Sequence, residues 1–99
     1  MVRVSGDIDL TTHEQLAEQL AKAAEAGGPV VVDLSSCEFI DSSGIRALLR
    51  GLKATEENDR SASFSIAAPA AQVSRVLELT GVNETITLYE SVDEALKKT

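Results

Sequence analysis

The sequence predicts a single small α/β domain over residues 1–99, built on a mixed, largely parallel four-stranded sheet with about four helices. Three observations carry that expectation. A chain of 99 residues is close to the commonest domain size and buries one modest core, with no room for a second. The hydrophobic period switches repeatedly between two and 3.6 residues, in the order β-α-β-α-β-α-β-α, and strands separated by helices need crossover connections that leave them parallel. The stretch "VVVDL", Val30 to Leu34, is a continuous β-branched run of the kind found in a central strand covered on both faces.

Each element follows from its own residues. "VRVSG" alternates briefly and ends at Gly6. From Thr12 the pattern turns helical: Leu16, Leu20 and alanines 17, 21 and 24 share a broad face, and Thr12 with Gln15 has the spacing of a capping box. Gly27, Gly28 and Pro29 stop that helix. After "VVVDL" and the loop "SSCEFID", Ile45, Leu48, Leu49 and Leu52 fall at i, i+3, i+4 and i+7, a single apolar stripe. "SFSIA" reads as a strand with a wetter face at its serines. Pro69 opens a third helix with Val73, Val76, Leu77 and Thr80 on one side, and Gly81 fits its end. "TITLYE" is the last strand, and Ser91 with Glu94 caps a short final helix.

Composition removes several function classes. Nine Lys and Arg against 16 Asp and Glu give a net charge of −7, which repels a phosphate backbone, so nucleic acid is not expected as a partner. No apolar run approaches the length of a membrane span, and "MVRVSGDIDL" lacks the layout of a secretory signal; the expectation is a cytoplasmic protein without membrane contact. The single cysteine, Cys37, has no partner for an internal disulfide and reads as a small apolar filler. With aromatic residues at 3%, aliphatic side chains must supply nearly all the core.

The residues that invite a chemical reading sit in "FIDSSGIRALLR", Phe39 to Arg50. Asp41, Ser42 and the lone His13 suggest a hydrolase, yet the G-x-S-x-G elbow is absent and a single histidine in an expected exposed helical turn makes a poor triad. Asp7, Asp9 and Asp41 could surround a hard cation, but they lack a ligand-loop pattern. No glycine-rich phosphate loop is present, so no cofactor is expected. Ser42 itself stands where a loop turns into a helix, at an expected N-cap, and an exposed hydroxyl there can be phosphorylated without unfolding anything. The added charge would lie beside a helix end that tolerates anions, while a partner docked on that end would be repelled.

The stretch "VVVDLSSCEFIDSSGIRALL", with the earlier "GDID" from Gly6 to Asp9, resembles the STAS domain of bacterial anti-sigma factor antagonists, and the element order matches it through the last helix. The resemblance implies a non-enzymatic, phosphorylation-switched binding protein. Its partner would be an anti-sigma factor that is also a GHKL-type serine kinase, and a phosphoserine phosphatase would reverse the modification. It implies Ser42 as the phosphate acceptor, Asp9 and Asp41 as the acids around it, Ser43 as the unmodified neighbour, and Gly44 and Arg46 as further partner-facing positions. Members of the family usually begin about ten residues earlier, enough for one more strand, so the first family strand is expected to be missing and the open edge to allow a weak dimer beside the monomer. Two other roles fit the same domain: a STAS subunit clamping the ATPase of an ABC-type lipid-trafficking transporter, and a scaffold of the stress-signalling type.

Overall fold

The computed structural model describes residues 1–98. Its elements are β1 (Val2–Ser5), α1 (His13–Ala26), β2 (Val30–Ser36), α2 (Ser42–Asn58), β3 (Phe64–Ala67), α3 (Ala71–Leu79), α4 (Val82–Thr85), β4 (Thr87–Tyr89) and α5 (Val92–Lys98). The four strands lie in the order β1-β2-β3-β4, and all three pairings are parallel. The expected α/β architecture is present, with a sheet that is parallel throughout and one helix more than anticipated. That extra helix, α4, is a single turn that follows Gly81, whose left-handed φ of 79° ends α3 as the sequence suggests.

Sequential strand order decides where the helices go. Each crossover steps to the next strand in the same direction, and right-handed crossovers then all fall on one face of the sheet. Residues of α1, α2, α3 and α4 accordingly join one large core: Leu16, Leu20, Leu48, Val73, Leu77 and Val82 pack with Val30, Val32, Leu34 and Ile66. The opposite face holds a smaller cluster in which Ala95 of α5 meets Val31 and Ala67, with Tyr89 and Val92 at its margin. Val30 to Leu34 are buried without exception, so the central position read from the β-branched run holds.

Three local expectations are corrected by this layering. Strand β3 has no wetter face: all four residues are buried, because α5 covers the side on which Ser65 lies, and the Ser65 hydroxyl finds no hydrogen-bond partner there. In α2 Ile45 and Leu48 are buried and Leu52 packs against the core as the stripe predicts, but Leu49 is exposed and the buried face extends instead over Gly44, Ala47, Gly51 and Thr55. The cause is the close approach of α1. A Cβ at Gly51 would sit 2.6 Å from Leu20 Cδ1 and 3.1 Å from Phe64 Cε2, so the tight helix contact selects small residues where a hydrophobicity pattern favours leucine. Thr80 also leaves its predicted apolar face; it is exposed, and its hydroxyl donates back to the Val76 carbonyl at 2.8 Å.

On the smaller face Asp33 is buried, with Arg3 reaching over it from the adjacent strand; Nε lies 3.4 Å from Oδ2. Burial pushes this carboxyl up, but the Ser35 backbone N–H donating at 2.9 Å and the Arg3 guanidinium outweigh that effect and hold it below the usual carboxylate range. Strand β1 forms one edge of the sheet; among the described residues, no strand pairs with its outer side.

Candidate functional site

In a parallel sheet every loop that follows a strand emerges at the same end, which gathers the loops after β1 and β2 side by side. The β1–β2 ladder is interrupted by an irregularity between Arg3 and Ser5 and by Gly6, at a φ of 85°. It then resumes as an isolated parallel bridge between Ile8 and Ile40. Ile8 N–H donates to the Phe39 carbonyl at 2.9 Å, and Asp41 N–H donates to the Ile8 carbonyl at 3.1 Å. Asp9 and Asp41, the residues that directly follow the bridge, are thereby brought out next to each other.

Each of these acids organises the start of a helix. Asp9 Oδ1 accepts from the Thr11 hydroxyl at 2.7 Å and from the Thr11 and Thr12 backbone N–H groups at 2.9 and 3.1 Å. Those donors, Thr11 first, hold its carboxyl below the ordinary range. The capping box expected from Thr12 and Gln15 does not form, because the Thr12 hydroxyl is turned into the loop: it accepts from Asp9 N–H at 2.9 Å and donates to the Asp7 carbonyl at 2.8 Å. The Asp9 carboxylate instead holds the turn that precedes the helix, through Thr11 and Thr12, and the start of α1 carries no side-chain cap bond.

At α2 the cap is Asp41, not Ser42. Asp41 is extended, and its Oδ1 accepts from Ser43 N–H at 2.8 Å and Gly44 N–H at 3.2 Å. Ser42 is the first helical residue; it is exposed, and among the described residues no side-chain hydrogen bond claims its hydroxyl. Ser43 is turned inward and only 8% exposed. Two adjacent hydroxyls of like chemistry thus differ sharply in access. The third residue of the turn, Gly44, is buried and closely packed: a Cβ there would come within 2.6 Å of Ile40 Cγ1 and 2.7 Å of Ile8 Cγ2. Only glycine lets the first turn of α2 press onto the Ile8–Ile40 bridge, and that contact sets where Ser42 projects. Arg46 is exposed one helical turn beyond Ser42.

Cys37 anchors the same loop from inside. It is fully buried, its Sγ donates to the Phe39 carbonyl at 3.2 Å, and burial pushes its thiol above the usual value, which suits the filler role expected of it. His13 is half-buried, less open than its place in a first helical turn suggested, and no hydrogen bond joins it to Ser42 or Ser43. Asp7, Asp9 and Asp41 do not gather into a metal-holding group among the described residues. No helix among them is long and apolar enough to cross a membrane.

Two exposed apolar residues beside the acids were not singled out by the sequence. Leu10, 73% exposed, and Phe39, 51% exposed, stand in the two laced loops. A leucine between Asp9 and Thr11 is the signal that could have pointed to one of them, since it belongs to no strand or helix pattern.

A four-stranded parallel sheet whose first two loops are laced together beside an exposed helix start defines a small α/β domain. The chain belongs to the STAS-domain family: the family described as "Mlab, STAS domain" matches residues 1–90. It is similar to the anti-sigma-F factor antagonist RsfB of Mycobacterium tuberculosis, 29% identical over 97 residues that make up 97% of this chain and 77% of that protein. Among solved structures it resembles an anti-sigma factor antagonist from Mycobacterium paratuberculosis, at a TM-score of 0.84 and 31% identity over 97% of this chain and 80% of the other. A second is an anti-sigma-factor antagonist domain protein from Planctomyces limnophilus, at a TM-score of 0.80 and 30% identity, covering 93% and 79%.

Proposed function

We propose that this chain is an anti-sigma factor antagonist switched by phosphorylation of Ser42. In its unmodified state the end of the domain formed by Asp9, Leu10, Phe39, Asp41 and the first turn of α2 binds an anti-sigma factor and so releases a sigma factor for transcription. The bound anti-sigma factor is also the serine kinase. Its transfer of a phosphoryl group to Ser42 ends the interaction, and a phosphatase restores it. The Mg²⁺, the phosphate clamps and the base that phosphoryl transfer needs belong to the partner; this chain contributes the acceptor and the docking surface.

One observation carries the reading: Ser42 offers a free, exposed hydroxyl at the first position of a helix whose cap is a different residue. A phosphate there adds about −1.5 to −2 charges beside backbone N–H groups at a positive helix end, so the fold tolerates it. A partner lying against Leu10 and Phe39 does not, because the new charge would have to be desolvated in the interface. Relatives at 29% and 31% identity carry names of the same function.

The test is a phosphotransfer assay with the cognate anti-sigma factor and Mg-ATP, with the modified residue located by peptide mass. Label on Ser42, and none in Ser42→Ala, is expected. Label on Ser43, or undiminished label in Ser42→Ala, would remove the assignment. No label, combined with tight binding to the ATPase of a lipid-trafficking transporter, would give the domain to the clamp role instead.

A further inference from the structure

The start of α1 and the second turn of α2 enclose a pocket of about 190 Å³ lined by Leu10, His13, Ser43, Arg46, Ala47 and Arg50. It adjoins the proposed switch, and its charge runs against that of the molecule. The chain has a net charge of −7, yet two guanidiniums and an imidazole line this hollow and no carboxylate does. Of the acids nearby, Asp9 is committed to Thr11 and Thr12 and Asp41 to Ser43 and Gly44, while Glu14 and Glu18 line an adjoining hollow with Arg50 and, among the described residues, form no ion pair with it. Among the described residues neither Arg46 nor Arg50 has an ion-pair partner; the pairs present are Arg3–Asp33 and Lys53–Glu57. Leu10 supplies an exposed apolar wall and Ala47 a small, buried floor.

We infer that this pocket receives an acidic residue of the partner flanked by an apolar side chain, the carboxylate held by Arg46 and Arg50 and the apolar group laid against Leu10. The inference rests on the anti-sigma factor reading and adds the chemistry of what docks. Charge complementarity commits it to an acidic segment: guanidiniums match a carboxylate bidentately, and they bind most usefully where no internal acid already neutralises them. It also gives the switch a second arm. Ser42 lies four residues before Arg46, so the two face the same side of the helix one turn apart, and a phosphate on Ser42 competes with the partner's carboxylate for the Arg46 guanidinium. Phosphorylation then blocks docking by occupying a cation as well as by adding an anion.

Binding of the unmodified chain to the cognate anti-sigma factor, measured by calorimetry for wild type, Arg46→Glu, Arg50→Glu and Lys22→Glu, tests this. Lys22 is exposed on α1 and does not line the pocket, so its reversal controls for net charge, and thermal unfolding of each variant checks the fold. Each arginine reversal is expected to weaken binding at least about tenfold, with Lys22→Glu within about twofold of wild type at equal salt. Exchange of one acidic residue of the partner for lysine should recover part of the Arg46→Glu loss. Affinities of Arg46→Glu and Arg50→Glu equal to that of Lys22→Glu overturn the inference and leave the antagonist function standing. A wild-type chain that does not bind the anti-sigma factor overturns both.

Discussion

Asp41 and Ser42 are adjacent, both are good helix caps by residue type, and the structure gives the capping role to the first alone. That assignment has a measurable consequence. In Asp41→Ala the Ser43 N–H, bonded at 2.8 Å, and the Gly44 N–H, at 3.2 Å, both lose their acceptor. Loss of such a cap costs about 1 kcal/mol, within a range of roughly 0.5–2. For a domain of this size 1 kcal/mol moves the melting temperature by about 4–8 °C. Ser42→Ala removes an exposed hydroxyl with no hydrogen bond and should stay within about 0.5 kcal/mol of wild type. Asp41→Asn, which keeps an acceptor oxygen, should recover most of the loss. Ser42→Asp puts a carboxylate on the first turn, where the helix end favours it by about 0.3–1 kcal/mol; the neighbouring Asp41 charge offsets part of that. Thermal and urea unfolding of the four variants ranks them directly. A Ser42→Ala variant as destabilised as Asp41→Ala would mean that the serine caps α2, and the separation of fold from switch would fail with it. If the ranking holds, Ser42→Asp should be as stable as wild type and yet bind the anti-sigma factor poorly.

Gly44→Ala should lower stability by about 1–3 kcal/mol, since its Cβ meets Ile40 and Ile8 at 2.6 and 2.7 Å, and unfolding in urea checks it; a neutral effect would show that the first turn of α2 is free to lift. Asp33 has a lowered pKa, so its contribution to stability is complete above the ordinary value of 3.8 and is lost as pH falls through the depressed folded value. Arg3→Ala should cost about 1–3 kcal/mol at neutral pH and move the acid loss of stability to higher pH, as read by unfolding at a series of pH values; an unshifted acid limb would contradict the pairing. Ser65→Ala deletes a buried hydroxyl that has no partner and should leave the melting temperature unchanged or raise it by a few degrees, whereas a clear drop would reveal a bond to that oxygen. The open edge of β1 should support concentration-dependent self-association by strand pairing, visible in sedimentation and reduced by Val4→Pro; a strictly monomeric chain at high concentration would rule it out.

Much of this architecture was legible in the sequence because it rests on periodicity. The run Val30 to Leu34 reads as a doubly covered strand and is one, and glycines at 27, 28 and 81 take the positive φ that ends the helices before them. What was not legible depends on choices within one turn or on what covers a face. Asp41 and Ser42 satisfy the same propensity, and the boundary between them is set by the backbone of Asp41, extended at φ −113° and ψ −171°, which no residue pattern encodes. The alternation in "SFSIA" looks amphipathic, but a parallel sheet is covered on both sides, and α5 closes the face on which Ser65 lies, while Ser63 stays exposed just before the strand. The proposed site was visible as the cluster Asp9, Asp41, Ser42, Ser43, Gly44 and Arg46. The difference in access between Ser42 and Ser43, and the addition of Leu10, Phe39, His13 and Arg50, needed the loops to be laced in space.

The division of work at the start of α2 would let Ser42 be phosphorylated, as proposed, at the foundation of a helix. If Ser42 were the cap, its oxygen would be held by backbone N–H groups, and each cycle of phosphorylation would remake the contact that starts the helix. With Asp41 accepting from Ser43 and Gly44 and Gly44 seated on the Ile8–Ile40 bridge, the turn is held by groups that the modification does not touch. Ser42 is left as a free hydroxyl on a rigid mount. Under the proposed switch, folding free energy would be nearly independent of the phosphate, while the free energy of docking, which would depend on the charge displayed beside Leu10, Phe39 and Arg46, would change strongly.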